Sequence, residues 1–439
     1  MMGRTWRRRC RRKCSSDQVV SLGQDKKFQQ LVQWMKHNGW SQVGRLAPTD
    51  FPSTGRGLKA LQHISSGDIL ATIPGKLLMT VETASKSLFG DVFRRNKMLT
   101  QQVLAAHIVF EKHLGEKSFW ANYISSLPEE IKTPVFSSSA EIEALPEHLS
   151  SKLNTYRSNV SELFRMLAES MTSVEKCSHC DMYLSQILTE DCFLWAWFII
   201  NSRAVYISPE HNSDHDLILS DKNCLALAPY LDMFNHSNDA KVQAFFNELD
   251  GSYQIRTLAP YKRFSQVFIH YGDHSNLKLY LEYGFIMPKN IHDILPLTFD
   301  DVYSTIIGVQ QRNNVSKMTY CFLKSHDLLK NIHLSADGMS WSAKALVYVL
   351  LFSDKIDPKT IQLKVYSSNF TESEMIEIFK IGTILVQNKR AQVKLLLQNM
   401  IEAKDTKFSG NVSGGFILAI DLYNEYLEVL SECEKSLTL

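Results

Sequence analysis

Residues 225–285 read as short β-rich runs separated by tight turns, while long stretches on either side repeat apolar residues at helical spacing. A chain with that order folds as a β-rich unit joined to helical material, an α+β arrangement. Residues 242–246 and 252–257 flank Asp250-Gly251, and Asp-Gly between two such runs is a strong hairpin signal. Residues 266–271 form another β-rich run. Residues 51–74 are expected to form an earlier hairpin, punctuated by Gly55, Gly57 and the Ser66-Gly67-Asp68 turn.

The helical stretches are equally legible. Residues 26–40 predict an amphipathic helix with Phe28, Leu31, Val32 and Met35 on one face. Residues 97–114 predict a second, with Leu99, Val103, Ala106, Phe110 and Leu114 as its stripe. Residues 129–190 read as mostly helical and contain no catalytic motif. Thr371-x-x-Glu374 is a capping box that opens a long helix to about residue 403, and residues 418–430 are again helical. At 439 residues the chain has room for two or three domains.

Seven basic residues, Arg4, Arg7, Arg8, Arg9, Arg11, Arg12 and Lys13, fall in the first fourteen positions without an acid. The whole chain carries +2, so the remainder carries −5 and gives no sign of a nucleic-acid surface. Residues 1–24 are expected to be a disordered tail. Its basic run reads as a nuclear-localisation patch, so a nuclear and cytoplasmic location is expected. No apolar stretch follows it, which argues against a secretory signal. The longest strictly apolar run, Cys192 to Ile200, has nine residues and is too short to cross a bilayer. An intracellular chain would leave the Asn-x-Ser/Thr triplets at Asn159, Asn314, Asn369 and Asn411 unglycosylated and most of its eight cysteines free. Cys177-Ser178-His179-Cys180 has zinc-knuckle spacing. No second Cys/His pair follows at typical spacing, so no metal is expected.

Several short motifs carry the chemistry: Gly55-Arg56-Gly57-Leu58, Asn201-Ser202-Arg203-Ala204-Val205, Asp232-Met233-Phe234-Asn235-His236-Ser237, Tyr271-Gly272-Asp273-His274-Ser275-Asn276 and Leu281-Glu282-Tyr283-Gly284-Phe285. Each is weak alone. A Gly-x-Gly is usually a turn, and residues 59–74 read as strand rather than helix, which argues against a dinucleotide site. In this order the set resembles the cofactor and catalytic motifs of SET-domain protein methyltransferases. The closest branch is the one that includes the Rubisco large-subunit lysine methyltransferases. No cysteine cluster follows Tyr283, which fits that branch. The resemblance covers most of residues 45–290 by motif, and the C-terminal part by position and type.

That resemblance implies a β-rich, knotted SET domain over residues 25–290, with a helical insertion at about 95–195. An all-α substrate-binding domain would follow over residues 295–439. It implies S-adenosylmethionine as cofactor and a protein substrate, histone or non-histone, normally methylated on the lysine ε-amine. Arg56, Gly57, Leu58, Arg203, Asn235, His236, Tyr271 and Phe285 would bind the cofactor, Arg203 through its carboxylate. Ser202, Asp232 and Tyr283 would line the substrate side. Tyr271 would be the catalytic residue, His236 would not act as a base, and His270 would face away from Tyr271 and be structural. Lysine-methylating members place an aromatic residue at the position of Val205; valine keeps the site apolar. No membrane or sequence-specific nucleic-acid partner and a monomeric state are expected.

The chemistry sets its own demands. The amine of a solvated lysine has a pKa of about 10.4, so about one in 2,500 is neutral at pH 7, a cost of about 4.6 kcal/mol. Its lone pair must then line up about 3–3.5 Å from the methyl carbon. Two other readings stay open at this point: methyl transfer to histidine, and a SET-fold protein that binds partners with little catalysis.

Overall fold

The computed structural model describes residues 19–41, 45–171, 176–207, 218–310, 316–354 and 356–437. The basic run at 4–13, Cys10, Cys14 and Asn314 lie outside the described residues. The chain divides into two compact units, Met1–Ile131 with Arg157–Gly272, and Lys132–Tyr156 with Asp273–Leu439.

The first unit holds ten strands among the described residues: β1 (Val20–Ser21), β2 (Leu46–Phe51), β3 (Gly55–Ala60), β4 (Ile69–Pro74), β5 (Val205–Tyr206), β6 (Leu225–Ala226), β7 (Asn235–His236), β8 (Val242–Asn247), β9 (Ser252–Thr257) and β10 (Gln266–Ile269). One sheet runs β1-β2-β3-β10-β7, a second β4-β9-β8, and β5 pairs with β6. β1 registers Val20 against Asp50. Residues 20–24 therefore take defined structure, although the tail was expected to run to residue 24. Backbone pairing, which leaves no mark on composition, makes the difference.

The expected hairpin at 51–74 is not formed. β3 folds back on β2 through the turn at 52–54, with Gly55 at φ +67. The turn at Gly67 (φ +92) is instead a corner that sends β4 to the other sheet, where Ile73 pairs with Tyr253. The run itself was legible, but its partner lies far away in sequence. The β8–β9 hairpin matches expectation. Asn247 pairs with Ser252, and Gly251 takes the left-handed conformation (φ +63) that favours glycine.

Helix α1 (Lys26–His37) starts where the Asp25 side chain accepts the Lys27 N–H at 2.8 Å, and it buries Phe28, Leu31 and Met35. Helix α2 (Thr100–Leu114) packs against α3 (Glu190–Arg203), whose Phe193, Ala196, Trp197, Phe198, Ile199 and Ile200 are buried. With α3 anchored this way, its last turn delivers Ser202 and Arg203.

The second unit is mainly helical: α4 (Phe299–Gln310), α5 (Trp341–Phe352), α6 (Glu372–Glu402) and α7 (Gly414–Leu437). The Thr371–Glu374 capping box opens α6 as expected, and α6 packs along α7. The unit is not purely helical. β11 (Ile294–Pro296), β12 (His333–Ser335) and β13 (Gly338–Met339) form a small antiparallel sheet. Strands this short carry no readable period. A buried polar knot fixes residues 276–293 within this unit. The Asn276 side-chain amide donates to Met287 O (3.0 Å) and to Asp293 Oδ2 (2.9 Å), while the Asn276 backbone N–H donates to Asp293 Oδ1 (2.8 Å). Burial pushes the Asp293 carboxyl up to about 6 against those bonds. Among the described residues, no helix is long and apolar enough to cross a membrane.

Candidate functional site

The sheet order explains how distant motifs meet. β10 lies between β3 and β7. It runs antiparallel to β3, with Val267 opposite Leu58, and parallel to β7, with Phe268 opposite Asn235 and Ile269 opposite His236. The Gly57-Leu58, Asn235-His236 and Tyr271 segments are thus brought onto three adjacent strands and the turn after them. Leu58 is fully buried between its neighbours.

Asn235 ties this group together. Its Nδ2 donates to the carbonyls of Arg56 (3.1 Å) and Thr54 (3.3 Å). Gly57 sits under that amide: a Cβ there would lie 2.8 Å from Asn235 Nδ2 and 2.7 Å from Gln266 Nε2. Only glycine leaves room for both. Gln266, whose Oε1 accepts from the Thr54 hydroxyl at 2.9 Å, was not singled out in the sequence. Its residue type gives no signal; only the pairing does.

His236 is buried and works as a clamp. Its Nδ1 accepts the Tyr271 backbone N–H (3.1 Å), and its Nε2 lies 3.1 Å from Asn238 Oδ1. Nδ1 must therefore be unprotonated, with the ring hydrogen on Nε2. His236 stacks on Tyr271 with ring centroids 5.2 Å apart and also meets His270 at 5.3 Å. Strand alternation was expected to send His270 to the face opposite Tyr271. β10 ends at Ile269, so that alternation does not reach residues 270 and 271. The Tyr271 hydroxyl donates to the Phe234 carbonyl at 2.5 Å.

Beside this lies a charged cluster. Arg203 Nη1 donates to Asp232 O (3.0 Å) and pairs with Asp232 Oδ2 (3.4 Å). The Tyr123 hydroxyl donates to the same Oδ2 at 3.1 Å. The Asp232 side chain is 5% exposed, and burial raises its carboxyl pKa although Arg203 opposes this. Burial, then the Arg203 charge, lowers the Arg56 guanidinium, whose Nη1 donates to Ser126 O at 2.9 Å. Arg56 and Arg203 both act on Asp232, and Asp50 and Asp25 also act on Arg56. Arg203 Nε is buried without a hydrogen-bond partner among the described residues. The Ser202 hydroxyl donates back to the Phe198 carbonyl at 2.7 Å, one helical turn earlier. Tyr123 is given no site role by the sequence.

Tyr283 and Phe285 belong to the second unit. Gly284, at φ +73, ends a π-helical turn between them, and a Cβ there would meet the Lys132–Thr133 peptide at 3.0 Å. The two rings meet edge to face at 6.2 Å, and Tyr283 lies 5.7 Å from the His274 ring. Burial pushes the Tyr283 phenol up to about 12.

A model of the SET domain family matches residues 55–272. SET domain-containing protein 4 of Homo sapiens is 30% identical over 99% of this chain and 97% of its own length. Actin-histidine N-methyltransferase of Xenopus tropicalis is 29% identical over 61% of this chain and 44% of its own. The crystal structure of the SET domain of LSMT bound to lysine and AdoHcy superposes with a TM-score of 0.59. That match has 18% identity and covers 94% of this chain and 91% of that one, a likeness of fold. With its motif strands in one sheet and a relative matched along nearly its whole length, the chain belongs to the SET-domain methyltransferase family, alongside SET domain-containing protein 4.

Proposed function

We propose that the protein is an S-adenosylmethionine-dependent protein-lysine N-methyltransferase. The observation that carries this reading is Tyr271: its phenol is anchored by donation to the Phe234 carbonyl, immediately beside the Asn235-His236 segment.

S-adenosylmethionine supplies an electrophilic methyl group on a sulfonium. The residues fit that molecule on two counts. Arg203 Nε is a buried donor with no hydrogen-bond partner among the described residues, which suits a carboxylate. The glycine at position 57 lets backbone and amide groups approach closely where any Cβ would intrude. Arg56, Leu58, Asn235, His236 and Phe285 complete the proposed cofactor set.

The proton of Tyr271 is committed to a carbonyl, so its oxygen keeps lone pairs for an N–H of the incoming amine. That contact orients a neutral amine. Protonated lysine has no lone pair to offer, and neutralising it at pH 7 costs about 4.6 kcal/mol. Tyr283 stays a neutral phenol at working pH and, with Ser202 and Asp232, is assigned to the substrate side. The protein substrate is a histone or another lysine-bearing protein, and the basic run at 4–13 directs a nuclear as well as cytoplasmic location.

A second reading, transfer to histidine, is favoured by the actin-histidine N-methyltransferase relatives. The test is incubation with methyl-labelled S-adenosylmethionine and separate histone and cytosolic fractions, followed by mass spectrometry of the labelled residue. Methyl-lysine is expected. Methyl-histidine would move the assignment to the second reading. Cofactor binding with no incorporation in either fraction would overturn both.

A further inference from the structure

Away from the motif strands, three metal-ligating side chains converge at the C-terminal end of α2. His113 Nε2 lies 3.2 Å from Cys180 Sγ, and the ligand atoms of His113, Cys177 and Cys180 all lie within 4.8 Å of one another. No second ligand pair follows Cys177-x-x-Cys180 at typical spacing. The third ligand comes instead from far upstream, on a helix that folding brings alongside.

The local structure is built around these atoms. Lys176 bridges to Tyr183, the Cys177 N–H donates to Met182 O at 2.8 Å, and the Asp181 N–H donates to Cys177 O at 2.9 Å. Asp181 takes a left-handed φ of +61 to close this tight turn directly after the second cysteine. Lys176 Nζ pairs with Asp181 at 3.2 Å and lies 4.7 Å from the Tyr183 ring centre, pinning the stem. The His113 ring is stacked 6.4 Å from Phe110. Cys177 is buried and Cys180 exposed, so one thiol is set in the protein while the other stays open to an entering ion.

We propose that His113 Nε2, Cys177 Sγ and Cys180 Sγ bind one zinc ion. Tetrahedral zinc with ligands at about 2.0–2.3 Å separates neighbouring donors by about 3.5–3.8 Å, the spacing this cluster nearly presents. Two thiolates and an imidazole are the soft and borderline ligands zinc prefers over calcium or magnesium. The group has three protein ligands among the described residues. Binding releases the two thiol protons. The ion staples the 176–183 turn to α2, which also packs on α3, the carrier of Arg203.

The test uses untagged full-length protein, reduced and freed of metal. Zinc is titrated against a chromophoric chelator, and cobalt(II) is used as a spectroscopic probe of thiolate ligation. We expect one zinc per chain, thiolate-to-cobalt charge transfer, and a melting temperature raised by zinc. His113→Ala and Cys180→Ser, both at accessible positions, should each weaken zinc by more than about a hundredfold, beyond what outer-sphere changes cost. Both variants should keep wild-type S-adenosylmethionine affinity, which reports that the unit is folded. Absence of stoichiometric zinc, wild-type zinc affinity in His113→Ala, or a Cys177–Cys180 disulfide in protein kept anaerobic would overturn the assignment.

Discussion

Adding one carbon at Gly57 is the most direct way to ask whether the Asn235 amide holds this site together. The Cβ of alanine would sit 2.7 Å from Gln266 Nε2, 2.8 Å from Asn235 Nδ2 and 3.3 Å from Phe51 Cδ2. Both amides must recede by roughly 0.5–1 Å to reach ordinary contact near 3.5 Å. Gly57 has no left-handed φ, so the backbone adds no strain of its own. Gln266 can swing at the cost of its bond to Thr54. Asn235 cannot move without loosening its bonds to Arg56 O at 3.1 Å and Thr54 O at 3.3 Å. At about 0.5–1.5 kcal/mol each, losing both costs about 1–3 kcal/mol.

Gly57→Ala should therefore lower stability by that amount, read from the urea midpoint. S-adenosylmethionine affinity should fall about tenfold or more by calorimetry, since 1.4 kcal/mol is a factor of ten. A double-mutant cycle separates the clash from a general packing defect. Asn235→Ala removes the obstructing amide, so Gly57→Ala in that background should cost at least about 1 kcal/mol less than in the wild type. Strictly additive effects, or unchanged cofactor affinity in Gly57→Ala, would refute the reasoning.

Three further outcomes are expected. Tyr271→Phe should keep cofactor affinity and lower kcat at least about a hundredfold, the usual worth of a positioned polar group; a wild-type rate on a validated substrate removes Tyr271 from the chemistry. His107 is buried on α2, and burial holds its pKa down near 3 against 6.5 for an exposed ring. The unfolded chain thus binds the proton first, and stability should fall by up to about 1.4 kcal/mol per pH unit as pH drops from 6.5 toward 3. His107→Phe should flatten that slope in urea titrations at pH 5 and 7, and an unchanged slope sinks the assignment. Deleting residues 4–13 should reduce nuclear accumulation of a tagged protein without changing activity in vitro; equal nuclear fractions would leave the run as a solvated tail.

What the sequence made legible were elements and motifs with local causes. The Asp250-Gly251 turn, the Thr371 capping box and the α1 stripe each declare themselves within a few residues, and each appears at its expected place. What stayed hidden was pairing. Nothing near Ile69 says that its strand will leave β3 and join β9, and nothing in Gln266 says that it will face Gly57. The motif set could be read because its residue types are unusual in combination. Gln266 and Tyr123 could not, because a glutamine and a buried tyrosine are ordinary until a fold puts them beside a glycine and a carboxylate. His113 and the Cys177–Cys180 turn show the same limit from another side: both halves were visible, and only the fold joined them.

The Arg203–Asp232 pair gives those two residues a task that family motifs alone do not describe. A carboxylate that is 5% exposed is costly to ionise, and a lone buried charge would be worse than none. Asp232 is compensated by Arg203 and by the Tyr123 hydroxyl, with Arg56 adding a further positive charge. That cluster fixes the direction of the Arg203 side chain. Nη1 is spent on the carbonyl and carboxylate of Asp232, and Nε is left buried without a partner among the described residues. An arginine held this way loses little side-chain freedom when an anion arrives, so more of its binding energy is kept. Asp232 therefore acts on the proposed cofactor end through Arg203, whatever it also does on the substrate side. The chain can keep a buried carboxylate here because it holds in place the guanidinium whose remaining buried donor an incoming carboxylate needs.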